Sequence, residues 1–315
     1  MTKCNELKPG SLSLGQEAEQ QIALLMFDTI KRSMRRACAI FEMTGCHPIL
    51  AAVTVASVSV NVSNSWASEE DLTRSVETYR DRYAIVDAQG EPDKSNPYRK
   101  LVDDRGDGRK DLKGLRNFRA VLPGIIYRGG GNNIHRKPRR DNRNPLPPEG
   151  LASLCREGFD KAFYLYEKNY STAVQKTDCT VRADIAPAAM TNTLEYLDRL
   201  PLSSSKGDAE VRSILELIYA KLKGLDNPRP IYVHCWNGWH ASGMVSAMIL
   251  QQFCGVTAEQ AETYWVCNTD GNSEDKHYKG VRQRIRNFTP IAELQISDEI
   301  KERICPRLDA KGCPL

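Results

Sequence analysis

Residues 230–234, Pro230-Ile231-Tyr232-Val233-His234, form a short apolar run that predicts a buried strand. Residues 242–253 are largely apolar and predict a buried helix, with Gly255 as its stop. Between Cys235 and Ser242 lie only Trp236, Asn237, Gly238, Trp239, His240 and Ala241, so strand and helix must be joined by a tight turn. Gly238 is the position at which the backbone bends inward without steric cost. A strand, a short loop and a helix N-terminus form an anion site by geometry alone, because loop amides and the helix end point into the turn. The same field favours the thiolate of a cysteine placed there. Ser242 is positioned to donate a hydrogen bond to that sulfur. Together these residues supply a nucleophile beside an anion cradle.

The rest of the chain alternates strand and helix patterns. Residues 118–128 read as a hairpin turning at Pro123-Gly124, and Gly129-Gly130-Gly131 opens a long loop reaching Pro148. Residues 151–157 have helical spacing, 162–166 read as a strand, and 194–202 contain another. Val211, Ile214, Leu215, Ile218 and Leu222 form the stripe of an amphipathic helix stopped at Gly224, with Asp208 placed to cap it. Thr257 caps a helix running to about Cys267, and a last helix covers 278–288. This order predicts an α/β layer fold with a central sheet flanked by helices. No internal repeat is present.

With these elements in view, the chain resembles the protein tyrosine and dual-specificity phosphatases. Their signature is His-Cys, five residues, Arg, then Ser or Thr and usually Gly, with a further Gly three residues after the Cys. His234, Cys235, Gly238, Ser242 and Gly243 match it. Asn117-Phe118-Arg119 and residues 123–128 look like the opening hairpin of the compact members, so the resemblance spans roughly 114–288. It implies a phosphatase-like sheet with its strand–phosphate loop–helix at 231–253. It also implies Cys235 as nucleophile with Ser242 and His234 in the catalytic set. Trp236, Asn237, Gly238, Trp239, His240, Ala241 and Gly243 would then form the substrate-binding loop.

The signature arginine, which would clamp the equatorial phosphoryl oxygens, is replaced by Ala241. Losing such a donor costs on the order of a hundred- to a thousandfold in rate. Restoring it by Ala241→Arg is expected to strengthen oxyanion binding, and Arg128 or Arg182 are the arginines considered for reaching in from elsewhere. The general acid of the family lies on a loop some thirty residues before the cysteine. There Asp208 serves either as acid or as helix cap; Asp198 and Asp270 are further carboxylates, the first on a strand and the second in a turn. Trp236 and Trp239 are either core or a stacking surface for an aromatic or sugar-like substrate. Tyr264 and Trp265 read as core.

The N-terminal region carries an export-like pattern. Lys31, Arg32, Arg35 and Arg36 precede a weakly apolar stretch at 49–60, and Ser65-Trp66-Ala67 has small residues at both cleavage positions. The depth of this pattern suggests translation from Met34. Cleavage after Ala67 leaves seven of the ten cysteines: Cys155, Cys179, Cys235, Cys254, Cys267, Cys305 and Cys313. Six paired and one solitary would suit an oxidising compartment, periplasmic or extracellular. Their pairing is not readable from sequence, and reduced buried thiols stay open as an alternative.

The expected organisation is a leader at 1–67, a polar segment at 68–113 with one short helix, a phosphatase-like domain at 114–290 and a tail at 291–315. Residues 103–111 faintly resemble a calcium loop, but Arg105 and Gly114 occupy ligand positions, so no metal and no cofactor is expected. A net charge of +4 does not argue for nucleic acid, and no apolar run is long enough for stable membrane insertion. The basic clusters at 136–140 and 282–286 are either solvated surface or a lure for an anionic substrate.

Three functions follow. One is a cysteine-dependent phosphatase acting on a phosphorylated protein or a small phosphate ester. A second is a pseudophosphatase that binds such a ligand without turnover. The third is a cysteine hydrolase attacking a carbonyl, for which no orienting partner is identifiable.

Overall fold

The computed structural model describes residues 69–83, 85–86, 92–93, 101, 112–131, 145–166, 169–186, 189–274, 279–309 and 313. All lie in one of the chain's two units, Ser63–Leu315. The expected leader, the calcium-like loop at 103–111 and the basic cluster at 136–140 lie outside the described residues.

The strands are β1 (Ile85–Val86), β2 (Pro92–Asp93), β3 (Leu115–Leu122), β4 (Ile126–Gly131), β5 (Lys161–Tyr164), β6 (Lys176–Thr180), β7 (Thr191–Asp198) and β8 (Ile231–Cys235). The helices are α1 (Glu69–Arg82), α2 (Pro148–Arg156), α3 (Gly207–Leu222), α4 (Ala241–Cys254), α5 (Ala258–Cys267), α6 (Lys279–Arg286) and α7 (Asp298–Ile304). Six strands form one mixed sheet in the order β3-β4-β8-β5-β7-β6. The inner four run parallel, and β3 and β6 close the edges antiparallel. The last strand of the chain order, β8, thus sits between β4 and β5. Cys235 ends that central strand at the carboxyl edge of the parallel strands, where α/β sheets hold their ligands.

Alternation along the strands separates two cores. Ile126, Phe163, Ile231, Val233 and Cys235 face α3, α4 and α5. Tyr127, Ala162, Tyr164 and Tyr232 face α2. Helix α4 is largely apolar, and all its residues except Cys254 are buried, as expected of a helix enclosed by its neighbours. Helix α1 is anchored beside the turn at Gly124: Ser75 donates to the carbonyl of Pro228 at 2.9 Å. Leu72 and Val76 enter one core, and Tyr79 and Tyr83 the other. Ile300 and Ile304 of α7 complete the first core, so residues beyond 290 take part in it.

Several local expectations hold. Residues 123–125 turn between β3 and β4, Gly255 ends α4 at φ +66°, and Thr257 and Gln260 form a capping box at α5. Two do not. Gly129, Gly130 and Gly131, expected in a loop, continue β4, because Gly129 and Gly130 pair with His234 and Cys235 of β8. Asp208 does not cap α3; Lys206 holds the cap position without a side-chain bond, and Asp208 lies inside the first turn. Among the described residues no helix is long and apolar enough to cross a membrane.

Six cysteines form Cys155–Cys179, Cys254–Cys305 and Cys267–Cys313, and Cys235 is free among the described residues. The second bridge closes 51 residues between α4 and the end of α7. Chain entropy assigns such a closure about 4 kcal/mol. The double variant Cys254→Ser, Cys305→Ser is therefore expected to lose stability of that order in denaturant unfolding; an unchanged midpoint would contradict it.

Candidate functional site

The loop after β8 rests directly on β4. Gly238 has φ +80°, and a Cβ there would stand 2.6 Å from the Gly129 carbonyl carbon. A Cβ on Gly130 would stand 2.7 Å from the Trp236 carbonyl oxygen. Glycine on both sides of this contact lets backbone meet backbone, so Cys235 ends its strand inside the turn. Cys235 is buried, and its Sγ lies 3.3 Å from Ser242 Oγ, which also lies 3.2 Å from the Gly129 carbonyl oxygen. The structure therefore brings Cys235 and Ser242 together as expected from sequence.

Three consecutive loop carbonyls are held by side chains of the scaffold. Asn117 Nδ2 donates to Asn237 O at 2.5 Å, Arg128 Nη2 to Gly238 O at 2.7 Å, and Trp265 Nε1 to Trp239 O at 3.0 Å. In a trans peptide the following N–H points the opposite way. The amides of Gly238, Trp239 and His240 are thereby turned away from these donors. Ala241, Ser242 and Gly243 open α4, where first-turn amides have no intrahelical acceptor. Loop and helix end together present a row of backbone donors of the kind that suits an anion.

Arg128, named from sequence as substrate-binding, is fully buried on the core side of the loop. It also donates to Asn268 O at 3.0 Å, and its guanidinium lies 5.9 Å from the Tyr264 ring centroid. It shapes the loop from behind. Arg182 lies elsewhere, held by Asp184 at 3.1 Å and Glu157 at 3.8 Å.

Two buried arginines were not anticipated. Arg116 donates to Asn237 Oδ1 at 2.8 Å and lies 5.8 Å from the Trp239 ring. Arg119 bonds Asn268 Oδ1. Burial, and the charge of Arg128 beside it, push Arg119 down to about 10. Nε and one Nη of both Arg119 and Arg128 have no hydrogen-bond partner among the described residues. Positive charge buried in this way is costly unless an anion sits nearby. The available signal was two arginines in one apolar strand. A register shift between Arg116 and Arg119, with Asn117 at φ +50°, accompanies the reach of Arg116 and Asn117 to the loop and of Arg119 to Asn268.

The loop's aromatic residues lie at its borders. Trp236 stacks on Tyr166 at 5.0 Å and donates to Tyr164 OH at 3.1 Å. Trp239 is half-exposed and donates from Nε1 to Asp270 Oδ2 at 2.8 Å. His240 is buried, with Nε2 3.2 Å from Asn272 O. A Cβ on Gly243 would stand 2.7 Å from Trp265 Cδ1, so this glycine lets α4 and α5 approach closely.

Two placements, those of Asp208 and His234, differ from expectation. Ala241 is fully buried and packs in the first core, which also holds Cys235. Ala241→Arg would place a guanidinium at this fully buried position. It is expected to cost about 3 kcal/mol or more in unfolding experiments. Asp208 is exposed and pairs with Arg284 at 2.6 Å. It lines a cavity of about 650 Å³ with Arg212, Leu215, Met248 and Phe288, away from the loop contacts described above. His234 shares β8 with Cys235 but faces the opposite core, where it stacks on Tyr164 at 5.1 Å. Asp198 ends β7 in the register row of Tyr164 and His234, on the strand as expected. Arg282, Arg284 and Arg286 are paired with Glu262, Glu274 and Asp208, which fits the solvated-surface reading. Among the described residues no group of His, Cys, Asp and Glu is placed to hold a metal ion.

His234 is a positioning residue. Leu146 N donates to Tyr196 OH at 2.8 Å, Tyr196 OH is 2.8 Å from Nε2, and Nδ1 is 3.2 Å from Cys235 O. A neutral ring protonated on Nδ1 satisfies the whole chain of bonds. Burial lowers this imidazole from 6.5 to about 3, against a smaller opposing pull from the Cys235 carbonyl. As pH falls the unfolded chain takes up its proton first, so stability is fully present above about 6.5 and is lost toward about 3. The slope reaches up to about 1.4 kcal/mol per pH unit. His234→Gln is expected to flatten the pH dependence of urea unfolding across that window; equal slopes would contradict it.

The chain matches no protein-family model, and no curated protein sequence is significantly similar to it.

Proposed function

We propose that the chain is a cysteine-dependent phosphatase-like protein that acts on phosphate monoesters, of phosphotyrosine type or on a small phosphorylated molecule, through the Cys235 thiolate. The observation that carries this reading is the set of scaffold donors on the Asn237, Gly238 and Trp239 carbonyls. They turn the loop's amides to the side on which an anion would sit, and the single unbridged cysteine of the described residues ends the strand beneath the loop.

The chemistry divides into two displacements. The thiolate attacks phosphorus, an S–P bond forms, and the P–O ester bond breaks with its electron pair leaving on oxygen, which is protonated. Water then attacks phosphorus, loses a proton to base, and the S–P bond breaks to return the thiolate. Ser242 Oγ, within reach of both the sulfur and the Gly129 carbonyl, donates to the sulfur when it carries charge. Amides around the three equatorial oxygens stabilise the charge they bear in the transition state. Export into an oxidising compartment suits the three bridges and belongs to the same proposal.

A second reading, a pseudophosphatase that holds a phosphorylated ligand, is favoured by Ala241 standing where the signature has its arginine. Both are tested with p-nitrophenyl phosphate and with tungstate. Turnover that Cys235→Ser abolishes supports the enzyme. Tungstate binding without turnover favours the binding protein, and absence of both overturns the cradle itself.

A further inference from the structure

The turn at Asn268, Thr269, Asp270, Gly271 and Asn272 follows α5 in sequence but is fastened to the loop. Arg128 holds Asn268 O from beneath, and Arg119 holds the Asn268 side chain. His240 Nε2 meets Asn272 O, and Trp239 Nε1 donates to Asp270 Oδ2. Within the turn, Asn272 Nδ2 donates to the carbonyls of Thr269 and Asp270, both at 3.0 Å. Asp270 takes φ +51° and Gly271 φ +79°, a tight left-handed bend of the turn. Asp270 is exposed while bonded to the loop's half-exposed Trp239. It therefore stands on the solvent side of the loop, whereas Cys235 is buried beneath it.

An in-line displacement puts the leaving oxygen opposite the attacking sulfur. The solvent side is where that oxygen must emerge. Resting on the phosphatase reading above, we propose that Asp270 is the general acid of this site, supplied from the turn after α5 and not from the segment before α3. As the P–O bond breaks, the proton of the Asp270 carboxyl passes to the leaving oxygen, giving a neutral alcohol and a carboxylate. In the second displacement that carboxylate accepts a proton from the attacking water, which restores the acid. A phosphate dianion in the loop favours the protonated carboxyl, and product departure favours the carboxylate. Because the turn is bonded to the loop at Asp270 and Asn272 and to the sheet at Asn268, the acid is preset and needs no moving segment to deliver it.

Two substrates differing in leaving group test this with the full chain. Phenyl phosphate leaves as a poor leaving group that needs the proton; p-nitrophenyl phosphate scarcely does. Asp270→Asn keeps a residue that tolerates positive φ, so the turn is retained. It is expected to lower kcat/KM for phenyl phosphate by about 100-fold or more, and for p-nitrophenyl phosphate by less than about tenfold. Asp270→Glu, which keeps an acid, is expected to recover most of the difference. Tungstate affinity reports whether the loop is intact and should stay unchanged. Equal losses for both substrates, or no loss, overturn the assignment of Asp270. Cys235→Ser separates this from the wider reading: if it leaves turnover intact, or if the wild type has none, the phosphatase reading itself falls and Asp270 with it.

Discussion

The hydrogen bond from the buried Arg128 guanidinium to the Gly238 carbonyl is the constraint on which the site's geometry depends. A loop between a strand and a helix has many conformations, and most direct carbonyls and amides to both sides. Here a charged donor from β4 fixes one carbonyl on the core side, and Asn117 and Trp265 fix its neighbours. Burying a guanidinium without a carboxylate is unfavourable in isolation. Two carbonyl acceptors and the Tyr264 ring offset part of that cost. An anion in the loop would offset more. On the phosphatase reading, the same group would tie the fold's stability to the ligand's charge.

The sheet delivers Cys235 to this place from the opposite face. Tyr232, His234 and Tyr164 stack on the α2 side of β8 and its neighbour, with His234 5.7 Å from Tyr232. A neutral imidazole, bonded at both nitrogens, holds the carbonyl of Cys235 while the side chain of Cys235 turns the other way. The disulfides lie outside this machinery: one joins α2 to β6, and two tie the ends of α4 and α5 to the C-terminal residues. Bridging six cysteines at the periphery leaves the thiol chemistry of the described residues to Cys235.

What could be read from sequence was what short-range chemistry determines. The strand, the tight turn and the helix around Cys235 follow from an apolar run, a glycine and a second apolar run. The hairpin at Pro123-Gly124 and the cap at Thr257 follow from turn and capping chemistry. Contacts that depend on distant pairing were not readable. Arg116 and Asn117 reach the loop, and Arg119 the turn at Asn268, through a strand irregularity that has no simple spacing. Gly129 and Gly130 look like loop residues until β8 is laid beside them. Position in a motif makes Asp208 a candidate acid, and the Arg284 partner on a distant helix decides where its carboxylate points.

On the phosphatase reading, Ala241 in place of the signature arginine changes the kind of electrostatics available. A fork of guanidinium donors on the ligand side follows the equatorial oxygens and strengthens as charge redistributes in the transition state. A guanidinium behind the loop adds positive potential through the backbone but makes no bond to those oxygens. Such a field stabilises bound phosphate and transition state by similar amounts. Uniform binding of this kind improves affinity without raising turnover of the bound complex. On the phosphatase reading, this architecture trades rate for retention of the anion. The burden of distinguishing the transition state then falls on the loop amides and on proton delivery to the leaving oxygen.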